Sequence, residues 1–428
     1  MMQKRILDIS MEWYAGLLIG TLGLIFMIPF AYLPWMTVLV HGHAVPIHLI
    51  LFGGLGFVSL MMVALWNVFY GTLRGPFVWN GFIFLGCVFL SALVAPEARG
   101  ASLKIFFGIA CRLVLPAIGA YSVSRIGGQE TELRRWLVIW AALVSVGALY
   151  EVVSGRYFLF ERQFVNTQNI DIVTIDEHYA MGTIGHPLTF SALMCMILPL
   201  ALQEWRTRKR AIYLLMILVI VLGIVFAFRR SGWVLGMGGL VAWSLLNRQR
   251  FRLGRSLLVL GLAWGVCLAV ALIVPTSRGH LIRRFGVATA VEEVRVGTRH
   301  QNLLAAWRMF VDHPLHGVGI GQFSRFQPRY FSGSTEAHAT DNQYARMLAE
   351  GGIPTLVSLL VWLGTALWPL SGRIRDPYWG AAAVALVVFL INILLTDLLL
   401  WPATQMAFGV LLGATAGGIE FKNGERYS

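Results

Sequence analysis

Apolar runs of about 20 residues recur along almost the whole chain, and that is the length an α-helix needs to cross the hydrocarbon of a bilayer. Inside lipid every backbone polar group must be satisfied within the segment, so such runs fold as helices. We read twelve of them, at residues 13–40, 46–70, 78–95, 101–124, 133–154, 185–203, 211–228, 231–247, 256–274, 347–370, 378–396 and 399–418. The balance of the chain agrees: 57% of its 428 residues are hydrophobic and 13% charged, with mean hydropathy +0.70. Soluble domains carry about 25% charge. The expected fold class is therefore an all-α polytopic membrane protein of about twelve transmembrane helices.

The charges are placed as topology signals. Short connections rich in Lys and Arg (Lys4 and Arg5; Arg125, Arg134 and Arg135; Arg206, Arg208, Lys209 and Arg210; Arg373 and Arg375; Lys422 and Arg426) alternate with connections poor in them. By the positive-inside rule both termini are cytoplasmic. An even number of spans requires the same. The net charge of +13 thus flanks the spans and does not imply a nucleic-acid partner. The start, MMQKRILDIS, leads into an apolar run too long for a signal peptide, which reads as an uncleaved first helix. Cys87, Cys111, Cys195 and Cys267 all lie within apolar runs and read as small core residues.

Two long segments fall on the outer side, 155–184 and 275–346. The chain divides into helices one to nine (1–274), a large outer loop (275–346) and helices ten to twelve (347–428). Counted to residue 352, the stretch after 274 holds nine arginines. It also holds His300, His313, His316, His338 and Asp341. Within it, 300–314 reads as an amphipathic helix with Leu303, Leu304, Trp307 and Phe310 on its apolar face. Asp341 is placed to cap the helix that follows.

Candidate chemistry follows from residue type. A guanidinium is planar, always charged and able to grip two phosphate oxygens at once. Arg229 and Arg230 form a pair in a tight outer turn, where two cations break the local charge rule; Arg299 and Arg278 lie in the loop. All four suit a diphosphate at the membrane surface, against the plainer reading of solvated loop arginines. Arg112 sits near the centre of the fourth span, where an ionisable group implies function or a buried partner. His338 and Asp341, three residues apart, can each accept a hydroxyl proton, or be an exposed histidine beside a helix cap. No zinc spacing and no nucleotide-binding glycine motif appears, so neither metal nor cofactor is expected.

Four stretches resemble the bacterial O-antigen ligase and O-antigen or exopolysaccharide polymerase superfamily: GTIGHPLTFSALMCMILPL (182–200), FAFRRSGWVLGMGG (226–239), GTRHQNLLAAWRMFVDHPLHGVGIGQF (297–323) and DNQYARMLAEGGIPTL (341–356). The third is the most specific. The resemblance implies a metal-independent membrane glycosyltransferase of the GT-C type, with short helices in its periplasmic loop. It would take a glycan from an undecaprenyl-diphosphate carrier at the periplasmic face of the inner membrane and pass it to an acceptor hydroxyl. Arginines would hold the diphosphate and a loop histidine would act as base. Asp341–Asn342 stands where ligases carry His–Asn, which favours polymerisation of lipid-linked repeat units over ligation to lipid A-core. A transporter of lipid-linked glycans is the rival from another class. It should concentrate polar groups at mid-membrane in repeated halves, and only Arg112 fits it.

Overall fold

The computed structural model describes residues 2–27, 37–40, 43–46, 53–62, 64, 75–95, 97, 99–156, 179–247, 261, 265, 269, 290–331 and 340–424. All of the expected ninth span except residues 261, 265 and 269, together with Arg278 and His338, lies outside the described residues. The elements in chain order are α1 (Met2–Met27), β1 (Thr37–Val40), β2 (His43–Pro46), α2 (Gly53–Met62), α3 (Pro76–Val94), α4 (Arg99–Gly127), α5 (Glu130–Ser154) and α6 (Pro187–Arg208). There follow α7 (Ala211–Phe226), α8 (Arg230–Leu246), α9 (Ala290–Asp312), α10 (Phe323–Tyr330), α11 (Gln343–Ser371), α12 (Pro377–Asn392) and α13 (Pro402–Gly424). Five helices, α3, α4, α5, α6 and α11, are long and apolar enough to cross a membrane; α7, α12 and stretches of α1 and α2 are shorter apolar helices. The protein is a polytopic, helical membrane protein. Outward-facing apolar side chains such as Trp79, Val153 and Trp368 are what a lipid-facing surface requires.

The first span departs from expectation. Instead of running over 13–40, α1 ends at Met27 and Thr37–Val40 pairs antiparallel with His43–Pro46, with Val40 opposite His43. Thr37, Val38, Val40 and Val45 are β-branched, which suits a strand better than a helix.

The helices alternate between two ends. At the terminal end, Met11 of α1 lies beside Gly127, and Glu420 near the end of α13 pairs with Arg125 at 3.0 Å. At the loop end lie the turns 179–186, 227–229, 314–322, 340–342 and 393–401. The tightest packing joins α13 to α4. Gly409, Gly413 and Gly417, one every four residues, lie against the backbone carbonyls of Leu113, Ala117 and Tyr121. A small residue at each such position lets two backbones approach where the lipid supplies no hydrophobic drive. Within α4, Ala110–Val114 forms a π-turn. Pro116 lacks the N–H that would bond the Arg112 carbonyl, and its ring crowds that turn, so the helix widens there.

α11 is broken at Gly352, whose φ of 69° and ψ of −173° only glycine adopts readily. A Cβ there would meet the Pro314 carbonyl oxygen at 2.6 Å. Pro354 has no N–H, so the Glu350 carbonyl has no helical partner. The loop fills the gap: Val318 N–H donates to the Ala349 carbonyl at 2.9 Å, Gly319 N–H to that of Glu350 at 3.0 Å, and Ile353 N–H to that of Pro314 at 2.9 Å. Ser91 adds a second bond to the Glu350 carbonyl. The break is the socket into which the glycine-rich loop plugs.

α9 also differs from expectation. Its buried face is Asn302, Ala305, Ala306 and Met309, and a small core of Ala306, Met309, Val318, Phe323, Phe326 and Ala349 lies beneath it. Leu303 and Trp307 are exposed, with Val311 and Leu315. Small side chains face the α11 socket because the approach is close, and the large ones are turned outward. Cys111 and Cys195 are buried and Cys87 partly so.

Candidate functional site

The loop end gathers ionisable groups from five separate segments. Its foundation is a buried relay. The carboxylate of Glu350 accepts the N–H groups of Gly321 (2.9 Å) and Phe323 (3.0 Å), at the start of α10. Arg346, one turn earlier on α11, bonds Glu350 through Nε at 3.0 Å and Asp397 through Nη1 at 3.1 Å. Asp397 then accepts from the Thr340 hydroxyl (2.6 Å) and N–H (3.2 Å). All three charged side chains are at most 6% exposed. A buried charge triad needs every lone pair occupied to offset its desolvation, and here backbone and hydroxyl donors complete it. The relay ties the glycine-rich loop, α11 and the α12–α13 turn to residue 340.

The next residue is Asp341, in the left-handed region with φ of 52°. It does not cap α11. Asn342 does, its side-chain oxygen accepting the Ala345 N–H at 3.0 Å. Released from capping, Asp341 accepts Arg299 Nε at 3.0 Å. Burial raises its pKa above the ordinary carboxylate value; Arg299 opposes the rise, Asp397 adds to it, and the charge of Arg229 is also felt there. A carboxyl whose pKa is raised by burial is a stronger base than an ordinary carboxylate, which suits it to accept a proton.

Arg229 comes from the α7–α8 turn. Phe228 before it is fully buried in a left-handed conformation, φ 50°. Such a conformation is costly for an aromatic residue and persists only where the surroundings hold it. Here Phe226 and Tyr179 pack edge-on against its ring at 6.0 and 6.1 Å, and Ala180 N–H bonds the Phe226 carbonyl at 3.0 Å. The turn thereby aims Arg229 over the Tyr179 ring, 5.5 Å from its centre. Arg230 opens α8 and is exposed. Glu151, fully buried on α5, fixes the neighbouring strand of chain by accepting Met181 and Gly182 N–H at 3.2 and 2.8 Å.

Of the residues singled out in the sequence, the structure brings together Arg229, Arg299 and Asp341, with Arg230 adjacent in the chain. Arg112 stands elsewhere, on the π-turn of α4, its Nε donating to the Gly108 carbonyl at 3.1 Å. His300 follows Arg299 on the exposed side of α9. Sequence reasoning did not find Arg346, Glu350 or Asp397 as a unit. It also passed over His186, whose charge environment is set in part by Arg229.

The sequence profile of the O-antigen ligase family matches residues 214–360. That stretch holds Arg229, Arg230, Arg299, Asp341, Arg346 and Glu350, and excludes His186, Asp397 and Trp401. No curated protein matches the chain. The family match supports a membrane-bound enzyme that transfers glycans in the O-antigen pathway.

Proposed function

From an O-antigen ligase domain at residues 214–360, we propose that the chain is a glycosyltransferase of the bacterial inner membrane using an undecaprenyl-diphosphate-linked glycan as donor. The observation that carries this reading is the Arg299–Asp341 pair at 3.0 Å within range of the Arg229 charge. Arg346 is committed to Glu350 and Asp397, so the diphosphate falls to Arg229, Arg230 and Arg299, with Arg278 and Arg112 as further candidates. An arriving diphosphate competes with Asp341 for Arg299. The exchange frees a carboxylate whose pKa is already raised by burial. The acceptor hydroxyl gives its proton to Asp341 as its oxygen bonds the anomeric carbon. The bond from that carbon to the phosphate oxygen breaks, and the arginines stabilise the charge that grows on the leaving lipid diphosphate. His338, three residues upstream, is the other candidate base. No metal is required in this scheme.

The topology proposed is twelve spans with both termini cytoplasmic and the loop end periplasmic, as the basic connections at the terminal end require. The three-part division of the chain at 274 and 346 goes with it. A reporter active only outside the cytoplasm should be active when fused after Ser334 and silent after Arg208; the reverse pattern would overturn the siting.

Asp341–Asn342 favours polymerisation of repeat units, with ligation to lipid A-core as the second acceptor. Deleting the gene separates them: short glycan still attached at the surface means a polymerase, long glycan stranded on its carrier a ligase. Arg112 on a π-turn inside the membrane is the one feature that fits a lipid-linked glycan transporter. The test of function is glycan transfer by purified protein in detergent, where a transporter has nothing to transport across. Transfer that falls on the order of 100-fold in Arg229→Ala is expected; no transfer by the unaltered protein, given donor and acceptor, would overturn the enzyme reading.

A further inference from the structure

His186 occupies the N-cap position of α6, and its ring is fixed on three sides. Nδ1 accepts the Thr189 N–H at 3.3 Å and lies 2.9 Å from the Thr189 hydroxyl. The imidazole stacks on the Trp401 ring, with centroids 5.1 Å apart and planes 17° from parallel. The third constraint is chain geometry: Gly185 before it is left-handed, with φ of 74°, and Pro187 after it fixes the first helical residue.

A backbone N–H can only donate, so Nδ1 must be the unprotonated nitrogen. In the neutral ring the proton then sits on Nε2. Protonating Nδ1 would break the bond from Thr189 N–H and set a second cation within range of Arg229, so the neutral form is the working form. No base role remains for such a ring: its one acceptor is occupied and its other nitrogen carries a hydrogen. Among the described residues Nε2 has no hydrogen-bond partner. A donor on a half-buried ring, held within range of a cation and itself kept neutral, suits an anionic oxygen at that site.

We propose that His186, stacked on Trp401, and Arg229 form a two-donor site for one phosphate group of a lipid-linked diphosphate, with Nε2–H of the neutral imidazole bonding a phosphate oxygen. This rests on the donor proposed above and assigns to it a residue from α6 and a platform from the α12–α13 turn, both outside the stretch that matches the family profile. The neutral donor adds no charge to the site. It therefore fixes orientation without deepening the electrostatic trap from which the lipid diphosphate must afterwards leave.

The experiment is binding of undecaprenyl diphosphate to the purified full-length protein in detergent, with undecaprenyl monophosphate and inorganic pyrophosphate as the comparison ligands. The variants are His186→Asn, which keeps an N-cap side chain but removes Nε2–H and the stack; Trp401→Leu; and Arg229→Ala. Thermal unfolding of each variant is recorded alongside. We expect His186→Asn to unfold at the wild-type temperature and to bind the diphosphate lipid about tenfold more weakly. Trp401→Leu should weaken binding by less. Inorganic pyrophosphate, where it binds, should show the same ranking; pyrophosphate binding that falls in Arg229→Ala and is unchanged in His186→Asn would count against the role of His186. Wild-type affinity in a folded His186→Asn, beside weakened affinity in Arg229→Ala, would overturn the role of His186 and leave the donor reading standing. Wild-type affinity in both variants would remove the donor reading and this site with it.

Discussion

The two polar ends of the helix bundle hold their cations in different ways. At the terminal end, Arg134 lies over the rings of Tyr378 and Trp379 at 4.2 and 4.8 Å and bonds the Thr415 hydroxyl at 3.2 Å. Lys422 covers the same two rings. Arg208 pairs with Glu204 one turn away, and the left-handed Lys209 is an ordinary helix C-cap. Distant carboxylate–arginine pairs occur at both ends, Arg125–Glu420 at the terminal end and Arg299–Asp341 and Arg346–Asp397 at the loop end; the backbone that presents them differs. Among the described residues, the two other left-handed non-glycine residues, Phe228 and Asp341, are both at the loop end, next to Arg229 and carrying the Arg299 partner. Aromatic rings and helix-local pairs need no strain to form. Strained backbone that aims charged groups at one place does, and its cost is retained where geometry matters for function. The comparison separates an end that anchors the bundle from an end that holds a site.

The two largest effects should come from the packing that serves both ends and from the buried relay. In Gly413→Leu the new Cβ meets the Ala117 carbonyl of α4. Overpacking against backbone that cannot yield should cost about 3 kcal/mol and reduce the folded protein recovered, as read by size-exclusion profile and thermal unfolding in detergent. Next is the buried relay. Arg346→Ala leaves Glu350 and Asp397 buried without their cation, and should cost roughly 3–5 kcal/mol and abolish transfer. Arg134→Met at the terminal end removes a ring-stacked cation. It should cost on the order of 1 kcal/mol and leave transfer in place. If Arg134→Met abolished transfer in protein that remains folded, the division between the two ends would fail.

The pH dependence sharpens the same division. Asp341 works as a base only when ionised, and burial raises its pKa. Transfer should therefore be full at high pH and fall as pH drops through a value above that of an ordinary carboxylate. In Asp341→Glu the fall should persist at a shifted pH. His186 stays neutral well below that range, so it contributes no inflection. A profile unchanged in Asp341→Glu would assign the inflection to another group.

Much of this was legible in the chain. The helical membrane class follows from run length, although the first run, read over 13–40, ends as a helix at Met27. The Arg229–Arg230 turn stands out because two cations occupy a connection on the side that should lack them. The loop's importance follows from its concentration of charge. The relay was not legible: Arg346 and Glu350 read as the polar start of a span and Asp397 as a stray acid in a short turn. Only the break at Gly352 and the α12–α13 turn bring them together. His186 was not singled out, because the stack on Trp401 joins residues more than 200 apart in the chain. The Gly409, Gly413 and Gly417 repeat was readable as a helix-packing motif without any coordinates. α9 misled for a simple reason: its largest apolar residues point outward while its small ones make the contact.

The central claim is that the loop end transfers glycan through Asp341 and its arginines. It is tested most directly by single-turnover transfer from a purified undecaprenyl-diphosphate glycan, with Asp341→Asn and Arg134→Met at matched concentrations of folded protein. Asp341→Asn should lose about 100-fold or more of the rate with an unchanged unfolding temperature, while Arg134→Met keeps the rate and loses stability. A fully active Asp341→Asn would contradict the account.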